Sequence, residues 1–112
     1  MTKLYTIKLN KDFKTAYYHG KVYVHPLLIL YVRKNREKTP RIGITTGKKV
    51  GGAVQRNRSR RIIREAYRSF AGQITRHVDL VFVARATTPR STSTELREVM
   101  REQLTKAGLL PS

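Results

Sequence analysis

Lys48 to Arg68 reads KKVGGAVQRNRSRRIIREAYR, with eight lysines and arginines against a single acid, Glu65. After the Gly51-Gly52 pair the apolar residues keep helical spacing, which predicts one helix from Ala53 to about Phe70. With residues set about 100° apart, Ile62, Ile63, Ala66, Tyr67 and Phe70 share an arc of roughly 140°, the width of a core-facing stripe. Asn57, Arg60, Arg61, Arg64 and Arg68 fall on the opposite side. Arg56 lies near the edge of the stripe, but a turn or more before its first isoleucine, so it projects beyond the core. So many like charges repel one another along a helix, and a polyanion would relieve that cost. The plain alternative is a solvated helix face. Solvated faces normally mix signs, however, and this one does not, which favours nucleic acid as the partner.

Working outward, Arg41 to Thr46 precedes this segment as a strand, with Ile42 and Ile44 facing the core. Val78 to Ala84 (VDLVFVA) follows it as a buried strand, and strand–helix–strand suggests parallel pairing. Upstream, Leu27 to Val32 is an apolar run expected to be a central strand. It is joined to Arg41–Thr46 through the charged Arg33–Pro40 connection as an antiparallel hairpin. Lys21 to Val24 is a shorter strand, with Val22 and Val24 on one face and Tyr23 on the other.

Asn10 is expected to cap a first helix from Lys11 to His19, which Gly20 ends in the left-handed conformation. Phe13 and Tyr17 share a face of it, with Ala16 beside them and Tyr18 off to one side. Two readings stand for this pair. They plug the core, or, among Lys11, Lys14 and Lys21, they offer rings and cations to a single-stranded nucleic acid. Beyond a polar loop from Thr87 to Thr94, Thr92 and Glu95 have the spacing of a capping box. A last helix then runs to about Ala107, burying Leu96, Val99, Met100, Leu104 and Ala107 and stopping at Gly108. It carries Glu95, Glu98 and Glu102 and is the part least suited to touch a polyanion. The order is α-β-β-β-α-β-α, an α+β sandwich of one sheet with helices, in a single domain over residues 1–112.

The formal net charge is +17 in 112 residues, with 39% hydrophobic residues and no cysteine. The charge points to a polyanionic partner, and the missing cysteines exclude disulfides and thiolate metal sites. Met1 to Leu9 alternates polar and apolar residues with no signal-peptide core, and the longest apolar run, Pro26 to Val32, is too short to cross a bilayer. A soluble, cytoplasmic protein is expected. His19, His25 and His77 are scattered without metal-ligand spacing. Asp12 and Asp79, the only aspartates, stand too far apart for a two-metal nuclease site. Gly51 and Gly52 lack the rest of a phosphate loop. On its residues alone, the chain binds RNA or DNA and performs no chemistry itself.

The run from Arg41 to Tyr67, RIGITTGKKVGGAVQRNRSRRIIREAY, resembles the signature of the bacterial ribonuclease P protein component, whose mark is Arg-Asn-Arg opening a basic helix, here Arg56-Asn57-Arg58. The upstream Lys11-Asp12-Phe13 with Tyr17, and a final helix after an apolar strand, match as well. The similarity covers essentially the whole chain. Gly52 departs from it, since the family usually has Asn there.

The resemblance implies a ribosomal protein S5 domain 2-like fold: a four-stranded mixed sheet with an uncommon left-handed β-α-β crossover, where the general rule would give a right-handed one. It implies a protein subunit of ribonuclease P, inactive alone, beside a large RNA that carries the active site and holds most of the Mg2+. The expected partners are that RNA and precursor tRNA, with no membrane and no obligate protein partner. The 5′ leader of precursor tRNA would lie in a cleft lined by Phe13, Tyr17 and Tyr31. Lys49, Asn57, Arg60, Arg61 and Arg64 would offer contacts from the loop and the basic helix, with Arg68 further along the same face. Arg56-Asn57-Arg58 with Lys48 and Lys49 would lie against the catalytic RNA. The main alternative is a ribosomal or other structural RNA-binding protein, which needs phosphates neutralised but no aromatic cleft. A DNA reader placing the helix in a major groove and a stand-alone nuclease are the others; the lack of clustered carboxylates argues against the last.

Overall fold

The apolar run VDLVFVA forms the centre of the sheet, because it is the strand buried on both faces. The computed structural model describes residues 4–111. Its strands are β1 (Tyr5–Thr6), β2 (Lys21–His25), β3 (Leu28–Lys34), β4 (Arg41–Thr45) and β5 (Val78–Ala84), and its helices are α1 (Asn10–His19), α2 (Ala53–Arg68) and α3 (Ser93–Lys106). The sheet order is β1-β4-β5-β3-β2. β5 runs parallel to β4 and antiparallel to β3, and β2 pairs antiparallel with β3.

Two expectations change here. The sheet has five strands rather than four, since Tyr5–Thr6 adds a short parallel edge beside β4. The Met1–Leu9 alternation carried that signal, although its residues 1–3 lie outside those described. Secondly, β3 and β4 are not a hairpin: β5 lies between them and pairs with both. An apolar strand arriving after α2 finds its two richest partners by entering between them.

Side chains alternate across each strand, so the register divides the sheet into two faces. On one, Ile42, Leu80, Phe82, Leu30 and Leu28 meet the stripes of α2 and α3 in the main core, which includes Ile62, Ile63, Tyr67, Leu96, Met100 and Leu104. The helical wheel of α2 is borne out. Ile62, Ile63, Ala66 and Tyr67 are buried, as is Phe70 just past the helix end, while Asn57, Arg60, Arg61, Arg64 and Arg68 are exposed. On the other face α1 packs a smaller core of Ile7, Ala16 and Val81, with Phe13, Tyr31 and Val83 against it.

The ends of α1 differ from expectation. Asn10 is the first helical residue, Leu9 holds the cap position, and no side chain caps the helix. Gly20 has an ordinary φ of −80°. It is glycine because a Cβ there would collide with the Ala16 carbonyl oxygen and crowd that of Val32. α3 behaves as read: Thr92 and Glu95 form a full capping box. At its other end Gly108 takes φ +76° while the Leu109 and Gly108 amides bond the Leu104 and Thr105 carbonyls, a Schellman closure.

A charged residue hides within the central strand. Asp79 is 0% exposed. Arg41 donates Nε to its Oδ1 at 2.9 Å and Nη2 to its Oδ2 at 2.8 Å, and Asn35 Nδ2 donates to Oδ1 at 2.7 Å. The same guanidinium also meets Asp12 at 3.6 Å and Glu37 at 3.8 Å. The two aspartates, distant in sequence, therefore share one cation, which ties α1 and the β3–β4 connection to the middle of the sheet.

Candidate nucleic-acid interface

Apart from Glu65, exposed on α2 itself, the acids are accounted for elsewhere in the molecule, which leaves the outer face of α2 strongly cationic. Asp12, Glu37 and Asp79 converge on Arg41, Glu98 meets Arg101, Glu102 meets Lys106, and Glu95 caps α3. Among the described residues, no Lys or Arg between Lys48 and Arg68 has an ion-pair partner. Lys48 and Lys49 sit exposed in a single 3-10 turn (Lys48–Val50) between β4 and α2. Gly51 follows at φ +134°, a conformation that favours glycine. Gly52 is the α2 cap residue, extended and without a side-chain cap bond. Glycine in place of Asn at such a position costs only a few tenths of a kcal/mol, so the departure from the family pattern leaves the helix start intact.

The Arg56-Asn57-Arg58 segment divides. Asn57 is exposed, accepting from Arg60 Nη1 at 3.3 Å, and Arg56 is half-buried. Arg58 turns inward: its Nε donates to the Pro89 carbonyl at 2.7 Å and its Nη2 to that of Ser91 at 3.1 Å. It fastens the first turns of α2 to the turn before α3 rather than presenting both arms of its fork to a ligand.

On the opposite face of the sheet, α1 lays its aromatics against the strands. Tyr17 meets Tyr31 edge-on, centroids 5.0 Å apart at 73°, and its hydroxyl shares a 2.7 Å hydrogen bond with Thr45 Oγ1. Tyr17 is 36% exposed, so it is no core plug, whereas the Phe13 ring is half-buried and seated over Gly43. A Cβ at Gly43 would lie 2.5 Å from one atom of that ring. Glycine in a strand marks such a close approach, a signal in RIGIT that strand spacing alone does not reveal. Gly43→Ala should therefore displace Phe13 and cost about 1–2 kcal/mol of stability, read by urea unfolding; an unchanged midpoint would mean the ring is not held there.

The register places Val24, Ile29, Val83 and Thr45 in one row across β2, β3, β5 and β4, on the same face as Tyr31. All four are half-buried or exposed. Together with Tyr17 they make an apolar and aromatic floor, and at the β4 end the chain runs on within four residues to Lys48 and Lys49. Sequence reasoning missed this row because it depends on β5 lying between β3 and β4. Tyr18, at 82% exposed, stands apart from it. The structure thus brings Phe13, Tyr17 and Tyr31 together, and sets Asn57, Arg60, Arg61, Arg64 and Arg68 on an open helix face.

Rings over a floor of half-exposed side chains on one sheet face, and a helix of exposed arginines on the other, are the features of a nucleic-acid-binding protein. The comparisons with known proteins agree. The family model for ribonuclease P matches residues 1–108. A ribonuclease P protein component of Clostridium novyi is 41% identical over 111 residues, covering 97% of this chain and 98% of that one. The solved Staphylococcus aureus RNase P protein superposes with a TM-score of 0.84 at 29% identity, covering 97% of this chain and all of that one. A second Staphylococcus aureus structure, described as a mutant with defective mRNA degradation activity, has a TM-score of 0.84 at 30% identity, covering 95% of this chain and 90% of that one. The chain belongs to the bacterial ribonuclease P protein components, RNA-binding subunits of a tRNA-processing ribonuclease. The partner implied by that membership is a ribonuclease P RNA.

Proposed function

We propose that this chain binds the 5′ leader of precursor tRNA in the α1–sheet cleft while its basic loop and helix lie against the ribonuclease P RNA, which performs the cleavage. The observation that carries the reading is the half-exposed Tyr17–Tyr31 pair in a chain whose Lys48–Arg68 cations have no ion-pair partner among the described residues. Tyr17, Tyr31 and Phe13 would take the leader bases. Lys49, Asn57, Arg60, Arg61 and Arg64 would take its backbone, and Lys48, Arg56 and Arg68 the larger RNA. Arg58 serves as a positioning residue for that surface. A scaffold RNA-binding protein would not need the aromatic floor.

Mg2+ belongs on the RNA in this reading. Among the described residues no three His, Cys, Asp or Glu converge as a metal site, and the acids that do gather, Asp12, Glu37 and Asp79, surround a guanidinium. No helix among the described residues is long and apolar enough to cross a membrane, which is compatible with the cytoplasmic location proposed.

The test is reconstitution. RNA-free protein is expected to leave precursor tRNA uncut. Because the Staphylococcus aureus mutant is described by a defect in mRNA degradation, an unstructured mRNA fragment belongs beside precursor tRNA in the assay, and it too should stay intact. Addition of ribonuclease P RNA and Mg2+ should give cleavage at the mature 5′ end. With about six phosphates of single-stranded character neutralised, leader binding should fall with salt at a log–log slope of roughly −4. Cleavage of either RNA by the protein alone, or a flat salt dependence, would refute the reading.

A further inference from the structure

A cleft of about 990 Å³ opens at the far end of the molecule, where β2 and β5 begin, β3 ends and α3 closes. Tyr23, Val32 and Val78 line it from the face of the sheet that carries the main core, and Leu109 lines it from beyond α3. It therefore lies on the opposite face, and at the opposite strand ends, from the Tyr17–Thr45 floor. One strand in the α1 cleft cannot also fill it.

Its rim is cationic. Lys21, Lys34 and Arg76 are exposed around it, Arg33 and two histidines stand beside them, and no carboxylate lines it. A helix C-terminus normally repels anions, but here the Leu104 and Thr105 carbonyls at the end of α3 are taken by the Leu109 and Gly108 amides. The size suits a small organic ligand and exceeds what a bare phosphate fills, while a tyrosine and aliphatic floor beneath cations suits a ring that carries a phosphate. Apart from Lys21, none of these side chains has a part in the reading of the α1 cleft.

We infer that this cleft binds a nucleoside-phosphate unit, its base over Tyr23, Val32 and Leu109 and its phosphate between Lys34 and Arg76. The unit can come from a free nucleotide or from an unpaired position in an RNA strand, and the chemistry recognised is the same.

The test titrates ADP, and inorganic phosphate as a control, into the full-length protein and its variants by calorimetry. Because ADP could also enter the α1 cleft, Tyr17→Ala serves as the background. ADP should still bind the Tyr17→Ala protein, and more tightly than phosphate. Adding Lys34→Ala with Arg76→Ala, both exposed, should weaken ADP about tenfold or more through the loss of two charge-assisted contacts, with unfolding unchanged. Equal affinity for phosphate and ADP, or ADP binding indifferent to Lys34 and Arg76, would overturn the inference. So would ADP binding abolished by Tyr17→Ala. A short single-stranded oligonucleotide separates the sources. Displacement of ADP from Tyr17→Ala protein would identify an RNA strand as the natural ligand, and retention of ADP a free nucleotide; either result upholds the site. Leader cleavage is not read in this experiment, so failure of the leader reading leaves its outcome intact.

Discussion

Arg41→Ala should cost the fold about 3–5 kcal/mol, the penalty for leaving a buried charge unpaired. Asp79 sits on the central strand with no solvent to fall back on, and two of the three hydrogen bonds to its carboxylate come from Arg41. The hydrogen bond to Asp79 is the main cause holding the guanidinium above its ordinary pKa, against the opposing effect of burial. A raised pKa contributes stability that is fully present below the unfolded value and is lost only as pH rises through the folded one. This cation therefore stays engaged from neutral pH to beyond the ordinary arginine pKa. Urea unfolding measures the loss. Arg41→Met combined with Asp79→Leu should recover much of it, since both charges then leave together. A single Arg41→Ala variant within 1 kcal/mol of wild type, a threshold set by the ordinary worth of a surface ion pair, would show that Asp79 is solvated after all.

Tyr17→Ala should weaken binding to precursor tRNA bearing a 5′ leader by about 1–3 kcal/mol, the worth of one base–aromatic stack. Mature tRNA should bind the assembled holoenzyme almost unchanged. The ring is more than a third exposed and makes one edge contact with Tyr31 and one hydrogen bond to Thr45. Its removal should therefore cost far less stability than the roughly 3–5 kcal/mol of a buried aromatic. Thermal unfolding, with binding to both RNAs, separates the outcomes. A stable variant that keeps the wild-type preference for leader-bearing RNA would eliminate the cleft as the leader site. An early-melting variant that loses both RNAs together would make Tyr17 a packing residue.

What the sequence revealed was local. The α2 stripe, its exposed arginines and the capping box of α3 follow from spacing within one helix, and all stand. What it concealed was non-local. A charged connection between two apolar strands reads as a hairpin, and nothing in Leu27–Thr46 announces that a strand from beyond α2 will come between them. That insertion creates the Val24–Ile29–Val83–Thr45 row, so the floor beside the tyrosines was illegible although the tyrosines were not. Asp79 looks like an interruption in VDLVFVA until Arg41, far away in the chain, is folded against it. Arg58 is indistinguishable in sequence from its exposed neighbours; only the Pro89 and Ser91 carbonyls show that it faces inward. Gly20 and Gly43 were legible as glycines, but their reason is the close approach of a carbonyl and a ring.

That inward turn of Arg58 bears on the entropy of association. A free peptide spanning Lys48 to Arg68 would have to order its backbone on binding, at about 1–2 kcal/mol per residue, against repulsion among its own cations. In the folded chain that ordering is complete beforehand. The packed stripe of α2 fixes one side of the helix and the Arg58 tie fixes its opening turns, so only exposed side-chain rotamers remain to be immobilised at the RNA surface. The same charges on a loose segment would meet the same phosphates with far less free energy left over.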